Sequence, residues 1–289
     1  MATFTNQATM TYNGNTVNSN VVTGEIVQAL TIDKTAVGTS YEPDGVVAYV
    51  VNIRNSGAAP ITGLTLTDDL GTYSFTPTGG TAVQLTPLTY VADSMRYFQN
   101  GVEQTAPTVT AGANGFSVTG LNVPAGGVAT LAYRARVNGF ANTGAGGAVV
   151  NTVTLTGGGL IEPVTATETV NAAQDARLSI RKALSPAQVN DNGTLTYTFV
   201  IENRGSAAAG ADANITVSDT FEPILNNIGV TYAGDTWAAA NYTYNEATGV
   251  FRTTPGAITV PAATVAQDPT TGVWTTVPGS VTLEITGTI

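Results

Sequence analysis

The chain holds two lysines, and both stand in the same setting: Leu30-Thr-Ile-Asp-Lys34 and Leu178-Ser-Ile-Arg-Lys182. Further along each copy an aspartate closes a strand-like run, Leu64-Thr-Leu-Thr-Asp68 and Ile215-Thr-Val-Ser-Asp219. An asparagine completes the first set, in Ala148-Val-Val-Asn151-Thr-Val-Thr-Leu-Thr-Gly157. Its counterpart is Asn6, in Thr3-Phe-Thr-Asn6-Gln-Ala-Thr-Met-Thr11, which precedes both copies. Side chains two apart in a strand share a face. Parity therefore groups Lys34 with Leu30 and Ile32, Asp68 with Leu64 and Leu66, and Asn151 with Val149, Val153 and Leu155. The second set follows suit: Lys182 with Leu178 and Ile180, Asp219 with Ile215 and Val217, Asn6 with Phe4, Ala8 and Met10. All six polar groups are expected to point inward. An unpaired buried polar group costs about 1–3 kcal/mol, and a buried charge more, so each trio is expected to meet.

An amine, a carboxyl and a primary amide in a dry pocket can react. Burial lowers the lysine pKa and raises that of the aspartic acid, so both become neutral. The free amine is then a nucleophile, and the carboxyl polarises the amide carbonyl and shuttles a proton. Attack expels ammonia and leaves an isopeptide bond, Lys34 to Asn151 with Asp68 as shuttle, and Lys182 to Asn6 with Asp219. Two plainer readings stand beside this one: a buried salt bridge with the asparagine hydrogen-bonded to it, or a strand-end lysine snorkelling to water. Asn55-Ser-Gly57 and Asn203-Arg-Gly205 read as turns after a strand. The acidic stretches Asp68-Asp69 and Asp212 to Asp219 resemble no calcium loop, and neither a metal nor a cofactor is expected.

The elements that would hold these groups form two copies of one domain. Spacing is kept from the lysine strands through Gly45 and Gly193, Tyr49 and Tyr197, and Asn55 and Asn203. Later, Ala129-Thr-Leu-Ala-Tyr-Arg-Ala-Arg-Val137 matches Val281-Thr-Leu-Glu-Ile-Thr-Gly-Thr-Ile289. Val47, Tyr49, Val51 and Ile53 alternate with polar positions, and Asp44-Gly45, Asn100-Gly101, Asn114-Gly115 and Asn192-Gly193 supply turns. The expected fold is all-β: two tandem immunoglobulin-like Greek-key sandwiches with an N-terminal donor strand. Its boundaries are 1–28 for the donor strand, 29–170 for a complete first domain, and 171–289 for a second domain without its last strand.

A sandwich without its last strand leaves an edge that invites another chain. The matching strand lies free around Phe4, Asn6, Ala8 and Met10, so one subunit is expected to complete the second domain of the next. Such head-to-tail contacts build open filaments. Closure of the strand onto its own second domain is disfavoured by the short linker between Tyr12 and Leu30, at roughly 3.3 Å per extended residue.

Composition narrows the remaining choices. Ten basic against twenty acidic residues give a net charge of -10, which argues against nucleic acid and anionic membranes as partners. With no histidine and no cysteine, disulfides, thiolate nucleophiles and histidine bases are excluded, and an enzyme with turnover is not expected. Met1 to Met10 has neither region of a signal peptide, so the export route is open. The competing function is an adhesin binding carbohydrate or a host protein through loops 71–113 and 225–273, with Tyr90, Tyr97, Phe98, Trp237, Tyr242, Tyr244 and Trp274 as a stacking platform. A fragment of a longer repeat array is the third, disfavoured because a cut around whole domains would not begin with a lone last strand.

The lysine-bearing first strand, Tyr-x-x-x-Ile-x-Asn-x-Gly from Tyr49 and from Tyr197, Thr-x-x-Asp ending at Asp68 and at Asp219, and Asn-x-x-Thr-x-Thr from Asn151 and from Asn6 resemble the bacterial surface repeat called domain of unknown function eleven. The resemblance spans nearly the whole chain. It implies immunoglobulin-type modules of cell-wall adhesins and stalks, and internal isopeptide bonds like those of similar pilin modules. A two-domain subunit of this size is more like a pilin or a spore-appendage subunit, expected on the cell or spore surface.

Overall fold

A computed structural model of the chain describes residues 2–26 and 29–289. Threonine- and valine-rich runs form strands throughout, and the helical pieces among the described residues are two short 3-10 turns, Ala211–Ala213 and Ala239–Asn241. Among the described residues no helix is long and apolar enough to cross a membrane.

The chain opens with a hairpin. Strands β1 (Ala2–Asn6) and β2 (Thr9–Tyr12) run out, and β3 (Asn15–Asn18) and β4 (Val22–Ile26) return antiparallel. The turn falls on Asn13 and Gly14, both at positive φ, 45° and 78°, where asparagine and glycine are the residues least penalised. The expected lone strand is thus the outward half of a two-stranded element. Among the described residues it pairs with no strand outside the hairpin, and β2 and β3 are exposed along their length.

The first sandwich runs β5 (Leu30–Val37), β6 (Ser40–Tyr41), β7 (Val46–Asn55), β8 (Ile61–Asp68), β9 (Tyr73–Phe75), β10 (Val83–Leu85), β11 (Leu88–Tyr90), β12 (Arg96–Gln99), β13 (Val102–Gln104), β14 (Val109–Gly112), β15 (Gly115–Val123), β16 (Val128–Val137), β17 (Ala148–Gly157) and β18 (Val164–Ala172). One sheet has the order β13-β12-β16-β7-β5, with β11 also on β16, and the other β14-β15-β8-β17-β18-β6. Strict alternation feeds the core between them: Val47, Tyr49, Val51 and Ile53 from β7, Leu131 and Tyr133 from β16, Val149, Val153 and Leu155 from β17. β17 and β18 form an antiparallel hairpin of their own, the double of the free one at the start of the chain.

The second sandwich runs β19 (Leu178–Ser185), β20 (Thr194–Asn203), β21 (Ser218–Thr220), β22 (Asn226–Tyr232), β23 (Asp235–Thr236), β24 (Tyr242–Asn245), β25 (Val250–Thr253), β26 (Thr264–Gln267), β27 (Trp274–Val277) and β28 (Gly279–Thr288). Its sheets are β19-β20-β28-β22-β23 and β21-β25-β24. The β26–β27 hairpin reaches back to the first sandwich, where the Trp274 amide donates to the Gly139 carbonyl at 2.8 Å and Gln267 Nε2 to the Tyr73 hydroxyl at 3.1 Å.

One side of this sandwich is uncovered. In the first copy β8 pairs with β15 on one edge and β17 on the other; here β21 pairs with β25 on one edge, and its other edge meets no strand among the described residues. Ile215 to Val217, expected as strand, is irregular: the Val217 amide donates to the Thr253 hydroxyl at 2.9 Å and not to a backbone carbonyl, which ends the ladder with β25. The inward face of β19 is open as well: Ile180 is 53% exposed and Leu178 41%, against 1% for the matching Leu30.

Candidate functional site

In the first sandwich β5 sets Lys34 opposite Val51 of β7, and β8 ends on Asp68, level with Phe116 of β15 and Val153 of β17. Asn151 lies two residues before Val153 on the same face. All three polar side chains are buried, as sequence parity requires. Lys34 Nζ donates to Asp68 Oδ2 at 2.9 Å. The Tyr133 hydroxyl donates to that same oxygen in a very short hydrogen bond, and the Leu70 amide donates to Oδ1 at 2.8 Å. Asn151 Nδ2 in turn donates to the Tyr133 hydroxyl at 3.4 Å. Aromatic rings wall the site: Tyr49 stacks on Tyr133 at 5.5 Å, Phe116 meets Tyr133 edge-on at 5.0 Å, and Lys34 Nζ lies 4.8 Å over the Tyr49 ring. Gly115, at φ 134°, lets β15 close against the end of β8, where a Cβ would fall 1.9 Å from the Asp68 carbonyl oxygen.

Burial governs the charges. Desolvation pulls the Lys34 amine below the ordinary lysine range, outweighing attraction to Asp68. It pushes the Asp68 carboxyl up against the opposing pull of Lys34 and the hydrogen bonds from Tyr133, Lys34 and Leu70. Both shifts favour the neutral amine and neutral acid. The Tyr133 phenol is driven well above the tyrosine range, by burial first and the Asp68 charge second. Asn151 Oδ1 and the Tyr49 hydroxyl are buried without a bonding partner, a cost of about 1–3 kcal/mol each. Burial also raises the Tyr49 phenol, and the nearby Asn151 amide holds that rise back.

The second sandwich brings together two of its three expected groups. Lys182 and Asp219 form an ion pair, with Nζ 4.5 Å over the Tyr197 ring and 5.8 Å from that of Phe221. The Lys182 side chain is 41% exposed where that of Lys34 is fully buried. Ile285 lies opposite Tyr197 as Tyr133 lies opposite Tyr49, so the phenol of the first site has no counterpart. Asn6 is not here. It pairs with Val22 in the free hairpin, exposed, on one side of the turn with Phe4 and Met10; Ala8 falls in the break between β1 and β2 and exchanges hydrogen bonds with Ser19.

Tyr133 was not among the residues singled out from sequence, because an inward tyrosine reads as core. The signal available was its replacement by Ile285 in the second copy. Asn55 and Asn203 serve turns: each caps a glycine amide at 2.9 Å, and their Nδ2 groups bond the Ala59 and Ala207 carbonyls. Of the aromatic residues considered as a stacking platform, Trp237 packs between Tyr232 and Tyr242, Tyr90 on Phe116 and Tyr244 on Phe221.

No protein-family profile matches the chain, and no curated protein matches it. Among solved structures it is similar to BcpA, the major pilin subunit of Bacillus cereus, with 13% identity and a TM-score of 0.37 over 96% of this chain and 73% of that one. It is also similar to the RrgB pilus backbone of Streptococcus pneumoniae, with 12% identity and a TM-score of 0.34 over 86% of this chain and 55% of the other. A collagen-binding domain from a Staphylococcus aureus adhesin aligns with 51% of this chain at 14% identity and a TM-score of 0.31. The chain spans about half of the RrgB length.

Proposed function

We propose that this chain is the structural subunit of an extracellular fibre, polymerised head to tail by donation of its N-terminal hairpin and locked by lysine–asparagine isopeptide bonds within and between subunits. The observation that carries this reading is the duplicated hairpin. One copy, β17–β18, completes the first sandwich; the other, β1–β4, is unattached, and the second sandwich is open where such a hairpin would sit. Aligned on β17, Asn6 takes the place of Asn151, Phe4 that of Val149, Ala8 that of Val153 and Met10 that of Leu155. Asn6 then meets Lys182 and Asp219 of the neighbouring subunit.

Magnitudes favour a covalent lock. Phe4, Met10, Leu178, Ile180 and Leu184 are each about half exposed, so covering them contributes roughly 1 kcal/mol apiece. Association alone costs an estimated 4–15 kcal/mol. Apolar burial thus leaves little surplus beyond the strand pairing, and an amide bond would make the junction permanent. The contact is heterologous and generates an open chain of subunits. The role is structural and extracellular, at the cell or spore surface; the partner is a second copy of the same protein, and no cofactor takes part.

Deleting residues 1–26 is expected to leave a monomer in sedimentation velocity under conditions where the intact chain forms concentration-dependent polymers. Polymers that persist after the deletion overturn hairpin donation. Ladders of the intact chain that survive boiling in detergent support the inter-subunit bond; ladders that collapse to monomer remove it.

A further inference from the structure

We infer that Tyr133 is the proton relay of the internal cross-link, carrying to the departing nitrogen of Asn151 the proton that Asp68 takes from Lys34. This inference rests on the cross-linking reading above. Its basis is an unbroken file of polar atoms: Lys34 Nζ to Asp68 Oδ2 at 2.9 Å, the Tyr133 hydroxyl on that same oxygen, and Asn151 Nδ2 on the hydroxyl at 3.4 Å. The nucleophile and the leaving group sit at its two ends. Asp68 Oδ1 is occupied by the Leu70 amide, which leaves Oδ2 as the oxygen that exchanges protons.

The balance closes over these four residues. A proton moves from Lys34 Nζ to Asp68 Oδ2, giving a neutral amine and a carboxylic acid. The amine lone pair attacks Asn151 Cγ, and a C–N bond forms as the carbonyl electrons move to Oδ1. Asp68 passes its proton to the Tyr133 oxygen while Tyr133 gives its own to Nδ2. The electrons on Oδ1 return, the Cγ–Nδ2 bond breaks, and ammonia leaves, because an amide nitrogen departs only when protonated. Asp68 finally collects the extra proton from the new amide nitrogen. Both Asp68 and Tyr133 end as they were before attack, and nothing outside the protein is consumed.

The surroundings suit the task. The phenol is raised well above its usual range by burial, so it stays protonated and can hand on one proton only as it takes another. Its ring is fixed between Tyr49 and Phe116. The second copy has Ile285 at this place, so a junction site built on Lys182 and Asp219 has the carboxyl shuttle without the relay.

The test follows ammonia loss in the full chain by intact mass during a chase after cell-free synthesis, comparing the unmodified chain with Tyr133→Phe, which keeps the ring and removes the hydroxyl. The expected result is a rate lower by about a hundredfold or more, within the range for a positioned acid–base group, together with a smaller solvent deuterium isotope effect. Incorporation of 3-fluorotyrosine at position 133 leaves the packing intact and changes only the acidity of the phenol, so a rate that moves with that acidity supports the relay even where the phenylalanine variant folds poorly. Equal rates and equal isotope effects for tyrosine, fluorotyrosine and phenylalanine overturn it. If the unmodified chain loses no ammonia and matches Asn151→Ala in mass change, the cross-link itself fails and takes the relay with it.

Discussion

The two lysine sites are the same sequence pattern in two states of cover. Lys34 and Lys182 each face an aspartate and a tyrosine ring at matched positions, yet the Lys34 side chain is fully buried and that of Lys182 is 41% exposed. What separates them is the β17–β18 hairpin. Where it lies on the sandwich, the carboxyl and amine are stripped of water and pushed toward neutrality; where no hairpin lies, the Lys182 side chain stays open to water. The strand that supplies the asparagine therefore also supplies the dryness that the reaction needs. In a filament this would couple the proposed chemistry to assembly, since Lys182, 41% exposed in the free subunit, gains the cover that Lys34 already has only when a donor arrives.

The largest test of that contrast is Lys34→Met. It removes the proposed internal bond and, unlike Asn151→Ala, also the Lys34–Asp68 pair, and breaking one side of a buried pair costs about 3–5 kcal/mol. Loss of the cross-link adds to this. By the loop-closure relation for a loop of about a hundred residues the cross-link term is about 4–5 kcal/mol, and Asn151→Ala removes that term while keeping the Lys34–Asp68 pair. Calorimetry should rank the first-sandwich transition as unmodified, then Asn151→Ala, then Lys34→Met, at about 2–4 °C per kcal/mol. If Lys34→Met melts with the unmodified chain, Lys34 carries neither bond nor pairing.

The same variant gives a pH signature. Without Lys34, burial is opposed only by the hydrogen bonds from Tyr133 and Leu70, and burial, the largest cause, holds the carboxyl above its unfolded value of 3.8. A raised folded pKa means the group's contribution to stability is fully present below the unfolded value and is lost as the pH climbs through the folded one. Lys34→Met should therefore melt higher in mild acid than at neutral pH. A melting temperature that instead rises toward neutrality would mean that Asp68 is held as a carboxylate.

Ile180→Asp acts on the uncovered side. Ile180 is 53% exposed in the subunit, so its replacement should leave the monomer's stability within about 0.5 kcal/mol. The docked hairpin, however, would bury that charge, and light scattering should show polymerisation abolished. Normal polymers from this variant would place the donor somewhere other than on the β19 face.

Much of this arrangement was legible in the residues. The repeat, the inward parity of Lys34, Asp68 and Asn151, and the surplus asparagine at Asn6 follow from spacing alone, because a strand's period of two leaves no freedom about which side chains share a face. Three features were not legible. Asn13-Gly14 marks a turn, but pairing of β3 and β4 back onto the donor strand depends on contacts that a short polar run does not announce. The shortening of β21 goes with the Thr253 hydroxyl taking the Val217 amide, a long-range contact that no local propensity encodes. Tyr133 looks like any core tyrosine until its hydroxyl is seen on Asp68.

The smallest effect is expected at Lys182, and its smallness is informative. In the free subunit Lys182 and Asp219 form an ion pair with one partner 41% exposed, and such pairs contribute about 0–1 kcal/mol. Lys182→Ala should thus shift the monomer's melting temperature by no more than a few degrees, where the matching change at Lys34 is large. It should still accept a donor hairpin, since the apolar residues of β19 are untouched, so polymers should form and then collapse to monomer in boiling detergent. A monomer strongly destabilised by Lys182→Ala would show the second site to be as dry as the first before any donor binds, and assembly would then have nothing to switch on. Boiling-resistant ladders from the same variant would assign the junction bond to another residue.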